Sequence, residues 1–319
     1  MKNSFKPIIT ILFLISTLAA VLMRAFACLT KLNYYTGYFS DSTLADAAGW
    51  TVASMTVILV ASLAFQSERL ELRASFRSPL VYIPAGVLAV AIFFLAADLI
   101  GRITEVGIVP IQKILISADL VTALLTIILA IGAVGFSAAS ALIPTVRSAL
   151  RANLGMAAAL FFASFAAHLF FRGGTPINHP AKIVDEMACL AVAIFLLFET
   201  RISLGRVNWK SYTVFGAIST IITAYASIPA LITYLVKGET VSASIQQSVL
   251  LFAAFIFSAS RLIHKMNLVA DSPSGFATAI DAKEIAPEEA VQETVEEEDS
   301  LPQLSIEDIE EEPERQSEE

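Results

Sequence analysis

The chain has 319 residues, of which 56% are hydrophobic and only 16% charged. That balance excludes an ordinary soluble enzyme, whose composition runs to about 25% charged residues. The formal net charge of −8 divides into two opposite parts, with +8 on residues 1–270 and −16 on residues 271–319.

The body is a series of apolar stretches. Residues 7–23, 47–67, 78–97, 120–146, 152–171, 211–236 and 240–260 contain no Asp, Glu, Lys or Arg. A hydrocarbon core about 30 Å thick needs roughly 20 residues of helix to cross it. Helices are required because each backbone amide in lipid must be satisfied within its own segment. The pattern predicts an all-α polytopic bundle with spans at about 8–28, 48–66, 80–100, 114–138, 152–171, 182–200, 211–236 and 242–264.

The first span follows Lys2 and Lys6. Ala25, Phe26, Ala27 and Cys28 faintly resemble a cleavage site, but Arg24 interrupts the run just before them. The span therefore reads as an uncleaved helix. The loop from 29 to 47 carries Tyr34, Tyr35, Tyr38 and Phe39, aromatics suited to headgroup depth, with a turn at Thr36-Gly37. The second loop-like connection on that side holds Gly173, Gly174, Thr175, Pro176, His179 and Pro180.

The sixth span is the least regular. Residues 187–198 are uncharged for only 12 positions, between Glu186 and Glu199. Charge sorting supports a crossing. Eight spans with an internal N-terminus place 12 basic residues inside and 7 outside, whereas seven spans give 11 and 8. The positive-inside rule favours eight, with both termini cytoplasmic in the plasma membrane.

Two short matches suggest a 4+4 internal duplication. Glu71, Arg73, Ser75 and Arg77 follow span 2 as Glu199, Arg201, Ser203 and Arg206 follow span 6. Phe136, Ser137, Ser140 and Leu142 in span 4 match Phe257, Ser258, Ser260 and Leu262 in span 8. The offsets of 128 and 121 differ by one gap. Halves of four spans keep the same orientation, related by an axis along the membrane normal.

Thr36-Gly37-Tyr38-Phe39 in the first outer loop and Phe198-Glu199-Thr200-Arg201 closing span 6 resemble motifs of uncharacterised multi-pass membrane proteins of clostridia-like bacteria. The resemblance covers residues 1–265 and excludes the tail. It implies membrane residence and no particular activity, so no functional residue is carried over.

Charges at membrane depth are the first functional candidates, because they face a cavity or a partner. Arg24, Asp98, Arg102 and Asp119 lie toward the outer ends of their spans and form a candidate polar vestibule for a small solute or ion. Asp98 and Arg102, spaced i,i+4, suit a helical ion pair. The plainer reading pairs these charges with one another and with headgroups. In span 7, Gly216, Thr220, Thr223 and Ser227 share one helix face ahead of Pro229. Such a hydroxyl stripe can line a solute path, and more commonly packs against a neighbouring helix. Pro229 also frees a backbone carbonyl one turn earlier, near Tyr225. Gly135 with Ala139, and Ala163 with Ala167, read as helix contact faces. Cys28 and Cys189 read as packing residues.

Enzyme signatures are missing. His168, His179 and His264 show no metal-ligand spacing, and no glycine-rich phosphate loop opens a helix. No cofactor, metal or nucleic-acid partner is predicted. Arg261, His264 and Lys265 read as a basic inner cuff against anionic lipid. The tail 271–319 holds 18 Asp or Glu and a lone aromatic, Phe276, so it is expected to be disordered. Leu301, Leu304, Ile306 and Ile309 within it suit a short helix on a cytoplasmic protein partner, and the plainer reading is a solvated tail repelled by the anionic leaflet. The expected function is a non-catalytic membrane sensor or scaffold, with a secondary transporter or channel-like carrier as the alternative.

Overall fold

The structure is a computed structural model that describes residues 5–34, 36–65, 79–105, 118–142, 149–172, 179–204, 209–241 and 244–270. The described residues form eight helices and no strand: α1 (Phe5–Lys31), α2 (Thr43–Phe65), α3 (Pro79–Glu105), α4 (Ala118–Leu142), α5 (Ala149–Phe171), α6 (Pro180–Ser203), α7 (Trp209–Lys237) and α8 (Ile245–Ala270). Every predicted span has its helix. The first repeat segment, residues 71–77, the loop residues 173–178 and the acidic tail 271–319 lie outside the described residues.

Local chemistry sets the helix ends. The Asp41 carboxylate accepts the backbone N–H and the hydroxyl of Thr43 where α2 begins. These bonds hold the Asp41 carboxyl below its ordinary range. The Ser42 hydroxyl donates to Asp46 at 2.7 Å, which carries α2 five residues further back than the apolar run implied. Pro180 opens α6 at a position where a missing N–H costs nothing. Ser244 accepts the Gln247 N–H at 3.2 Å, a side-chain cap that starts α8 at Ile245.

Among the described residues, seven helices are long and apolar enough to cross a bilayer, so the chain is a multi-pass membrane protein. The exception is α6, which carries Lys182, Asp185, Glu186, Glu199 and Arg201. Its two faces explain the irregular sequence. Lys182, Asp185 and Glu199 are buried, whereas Ile183, Met187, Leu190, Ile194 and Leu197 are exposed along one stripe. These three charges point into the bundle and the apolar stripe points out, while Glu186 is half-buried and Arg201 is exposed near the helix end. The number of its charged side chains, and not a shortage of apolar ones, sets α6 apart from the other helices.

α3, α4, α5, α6 and α7 pack in sequence, and α7 also contacts α1 and α2. α7 is the hub, with 78% of its span buried; α2 is the most peripheral, with 11%. α8 reaches its neighbours through large side chains. Phe257 meets Phe136 of α4 and Phe195 of α6 edge to face, with centroids 6.3 and 6.4 Å apart. Small residues bring other helices close. A Cβ on Gly135 would press on Leu154, and one on Gly155 would strike Thr200. Gly135 thus lies on a contact face, whereas Ala163 and Ala167 are half-buried beside the buried side of α5.

After α1 the chain turns back on itself. The Asn33 N–H donates to the Tyr38 carbonyl at 2.9 Å, and Gly37 at φ 72° makes the turn that the sequence placed at Thr36-Gly37. Tyr38 then stands 5.8 Å from the His179 ring at the start of α6.

Candidate functional site

The most concentrated polar cluster lies where α5 and α7 begin and α6 ends. Arg151, Glu199, Tyr212 and Arg261 are each 4% exposed or less. Tyr212 donates to Glu199 Oε1 at 2.6 Å. Arg261 Nε stands 3.4 Å from the same oxygen, and Arg151 Nη2 stands 3.5 Å from Oε2. One carboxylate therefore ties α5, α7 and α8 to α6. The Arg261 guanidinium also lies over the Phe257 ring, 5.0 Å from its centroid. Buried charges persist only when paired and hydrogen-bonded, and this carboxylate meets both conditions.

The sequence assigned Arg261 and His264 to a lipid-facing cuff. The structure corrects this: both are buried in protein, Arg261 being 2% exposed. The reason is helix length. α8 continues to Ala270, nine residues past Arg261, which puts that guanidinium about 13 Å inside the helix end. The cluster was not read from the sequence, although one signal for it is there. Glu199 is a lone acid closing an apolar run at the end richest in basic residues, where a carboxylate finds a guanidinium partner.

The four vestibule residues fall into two places. Asp98 and Arg102 form the expected i,i+4 pair at 2.9 Å. Asp119 faces His168 Nδ1 across the α4–α5 contact at 3.0 Å, a pairing the sequence did not indicate. Arg172, just past α5, is held below the ordinary guanidinium range by burial and then by Arg102, with Asp119 and Asp98 opposing. Asp98, Arg102, Asp119, His168 and Arg172 thus gather around the adjoining ends of α3, α4 and α5. Deeper in the same seam, Thr126 and Ser164 hydrogen-bond across α4 and α5 at 2.9 Å.

Arg24 sits apart from that group. It is 4% exposed and donates to the Tyr225 carbonyl at 3.1 Å, with its guanidinium 4.3 Å from the Tyr225 ring centroid. That carbonyl is the one Pro229 leaves without its helical N–H. The proline supplies the acceptor and α1 supplies the donor.

The hydroxyl stripe turns inward on its own helix. Thr220 donates to the Gly216 carbonyl at 2.8 Å, Thr223 to Ser219 at 2.5 Å and Ser227 to Thr223 at 2.7 Å. Thr223 and Ser227 are fully buried. Thr220 lies on the same buried face, and a Cβ on Gly216 would meet Leu262 of α8 and Phe195 of α6. Near the start of α6, Gln247 Nε2 donates to Asp185 at 2.6 Å and joins α8 to α6. Lys182 donates to the Phe170 carbonyl at 2.9 Å and joins α6 to the end of α5.

Among the described residues, no three His, Cys, Asp or Glu side chains are grouped to hold a metal ion. Cys28 and Cys189 are buried free thiols. Compared with family models, with curated proteins and with solved structures, the chain matches none.

Proposed function

We propose that this multi-pass protein is a non-catalytic sensor or scaffold of the plasma membrane whose acidic tail engages a cytoplasmic protein. The observation that carries this reading is how the bundle uses its polar side chains. The hydroxyls of Thr220, Thr223 and Ser227 are spent on carbonyls of their own helix, Asp98 and Glu199 on neighbouring guanidiniums, and Asp119 on the His168 imidazole. A path for a solute needs such groups turned toward water. The test compares full-length protein with a chain ending at Ala270, both purified from native membranes. A protein retained by the full chain and lost on truncation supports the reading. Identical co-purifying proteins from both chains overturn it.

Eight crossings belong to the same proposal. The outward stripe of α6 from Ile183 to Leu197 spans about 21 Å, most of the hydrocarbon core, while Lys182, Asp185 and Glu199 stay inside the bundle. Reporter fusions at the two ends should then both read cytoplasmic; opposite sides would reduce the count to seven. The 4+4 repetition is also part of the proposal. Its equivalent residues Phe136 and Phe257 meet each other, and Ser137 and Ser258 each donate four residues back along their helices.

A carrier of a small solute or ion is the second reading. It is favoured by Asp185 and Glu199, two carboxylates each 1% exposed within α6, since acids at such depth serve proton relays in pumps and transporters. Proteoliposomes that move protons with wild-type protein and not with Glu199→Gln would replace the first reading with this one.

A further inference from the structure

We propose that an apolar groove between α1, α2 and α7 binds an acyl chain of an anionic phospholipid, with the lipid phosphate on Lys237. The groove is lined by Leu22, Ala25, Phe26 and Leu29 of α1, Leu44 of α2 and Ile232 of α7. Ala25 is its buried floor, and Leu22 and Phe26 form a rim more than half exposed. From Leu22 to Leu29 it follows α1 for about 10 Å, a third of the hydrocarbon core. The medium against such a wall is lipid, and a slot of this length fits a chain segment in preference to a headgroup.

The charge at its mouth chooses the lipid. Lys237 Nζ donates to the carbonyl of Leu29, itself a lining residue, and lies 5.1 Å from the Tyr34 ring centroid. Arg24, deeper on the same helix pair, repeats the pattern on the Tyr225 carbonyl and ring. The two contacts are reciprocal: α7 lends a lysine to an α1 carbonyl, and α1 lends an arginine to an α7 carbonyl. Among the described residues neither cation has a carboxylate within ion-pair distance. The acids at this end are engaged elsewhere or face solvent. Asp41 stands 4.0 Å from Lys31, Asp46 accepts from Ser42, and Glu239 is exposed beyond the turn at Gly238. Tyr34, whose hydroxyl donates to the Cys28 carbonyl at 2.8 Å, marks headgroup depth beside Lys237. A cationic mouth over an apolar slot matches a lipid with an anionic head.

The test uses full-length protein exchanged into nanodiscs of phosphatidylglycerol or of phosphatidylcholine, then native mass spectrometry of the released protein. Wild type should retain phosphatidylglycerol preferentially. Lys237→Gln should lower that preference about fivefold, the effect of one lysine near an anionic lipid, and Lys237→Arg should keep it. Ala25→Phe, which fills the groove floor, should displace both lipids. Equal retention of the two lipids by wild type overturns the proposal, and so does an unchanged preference in Lys237→Gln. Neither of these outcomes depends on the groove-filling variant folding.

Discussion

The guanidinium of Arg24 donates to the backbone carbonyl of Tyr225, 201 residues away in the chain, at 3.1 Å. Pro229 stands four residues after Tyr225 and cannot donate to it. The hydrogen bond that α7 lacks at Pro229 is thereby replaced by a donor from α1. Removing the arginine alone leaves a buried carbonyl unsatisfied, at a cost of about 1–3 kcal/mol. Arg24→Leu should destabilise the bundle by that amount in denaturant unfolding. In the same background Pro229→Ala restores a backbone donor and should recover part of the loss. Simple additivity of the two changes would show that the carbonyl is not what couples them.

Glu199 should be the most sensitive polar residue of the interior. Glu199→Leu leaves two buried arginines without the carboxylate they share, a class of change that costs about 3–5 kcal/mol. Tyr212→Phe removes a single hydrogen bond to a charged group, about 1.5–3 kcal/mol. Folded yield after size exclusion and thermal unfolding in detergent should rank Glu199→Leu below Tyr212→Phe, and Tyr212→Phe below wild type. The reverse order would mean that the guanidiniums are held by other groups.

Two glycines with positive φ separate backbone strain from crowding. Gly37 at φ 72° and Gly238 at φ 71° occupy the same left-handed region. At Gly238 a Cβ meets nothing within 4 Å, so Gly238→Ala should cost only the backbone term, about 1–2 kcal/mol. At Gly37 a Cβ would overlap the His179 ring. Gly37→Ala should therefore cost more and should expose the first loop to added protease, while Gly238→Ala leaves cleavage unchanged.

His179 gives the contact between Tyr38 and the start of α6 a pH dependence. Burial first, and Lys182 second, hold this imidazole below its ordinary value of 6.5. The folded state therefore favours the neutral ring. The stability it contributes is fully present above the unfolded-state value and is lost as pH falls toward the lower folded value. Thermal unfolding of wild type should weaken as pH falls below the ordinary imidazole value, and His179→Gln should flatten that decline. An equal slope in both proteins would assign the effect to other groups.

The reason α6 looked irregular also explains what could be read from the chain and what could not. Composition and charge-free length placed seven of the eight helices and charge sorting added α6, because a bilayer constrains each segment separately and the constraint is written in consecutive residues. The i,i+4 pair Asp98–Arg102 and the carbonyl freed by Pro229 were legible for the same reason, since both are properties of one helix. The Glu199 cluster, the Asp119–His168 contact and the donor for Tyr225 were not. Each joins residues from different helices, and the apolar pattern that fixes the helices says nothing about how they rotate against each other. A charge drawn toward the rim by counting residues lies inside when its helix runs longer, as with Arg261. Sequence alone determined that this chain resides in the membrane, with a basic body and an acidic tail. Tertiary packing decided which charges meet, because in lipid the hydrophobic effect no longer sorts helix faces and only shape and pairing between neighbours remain.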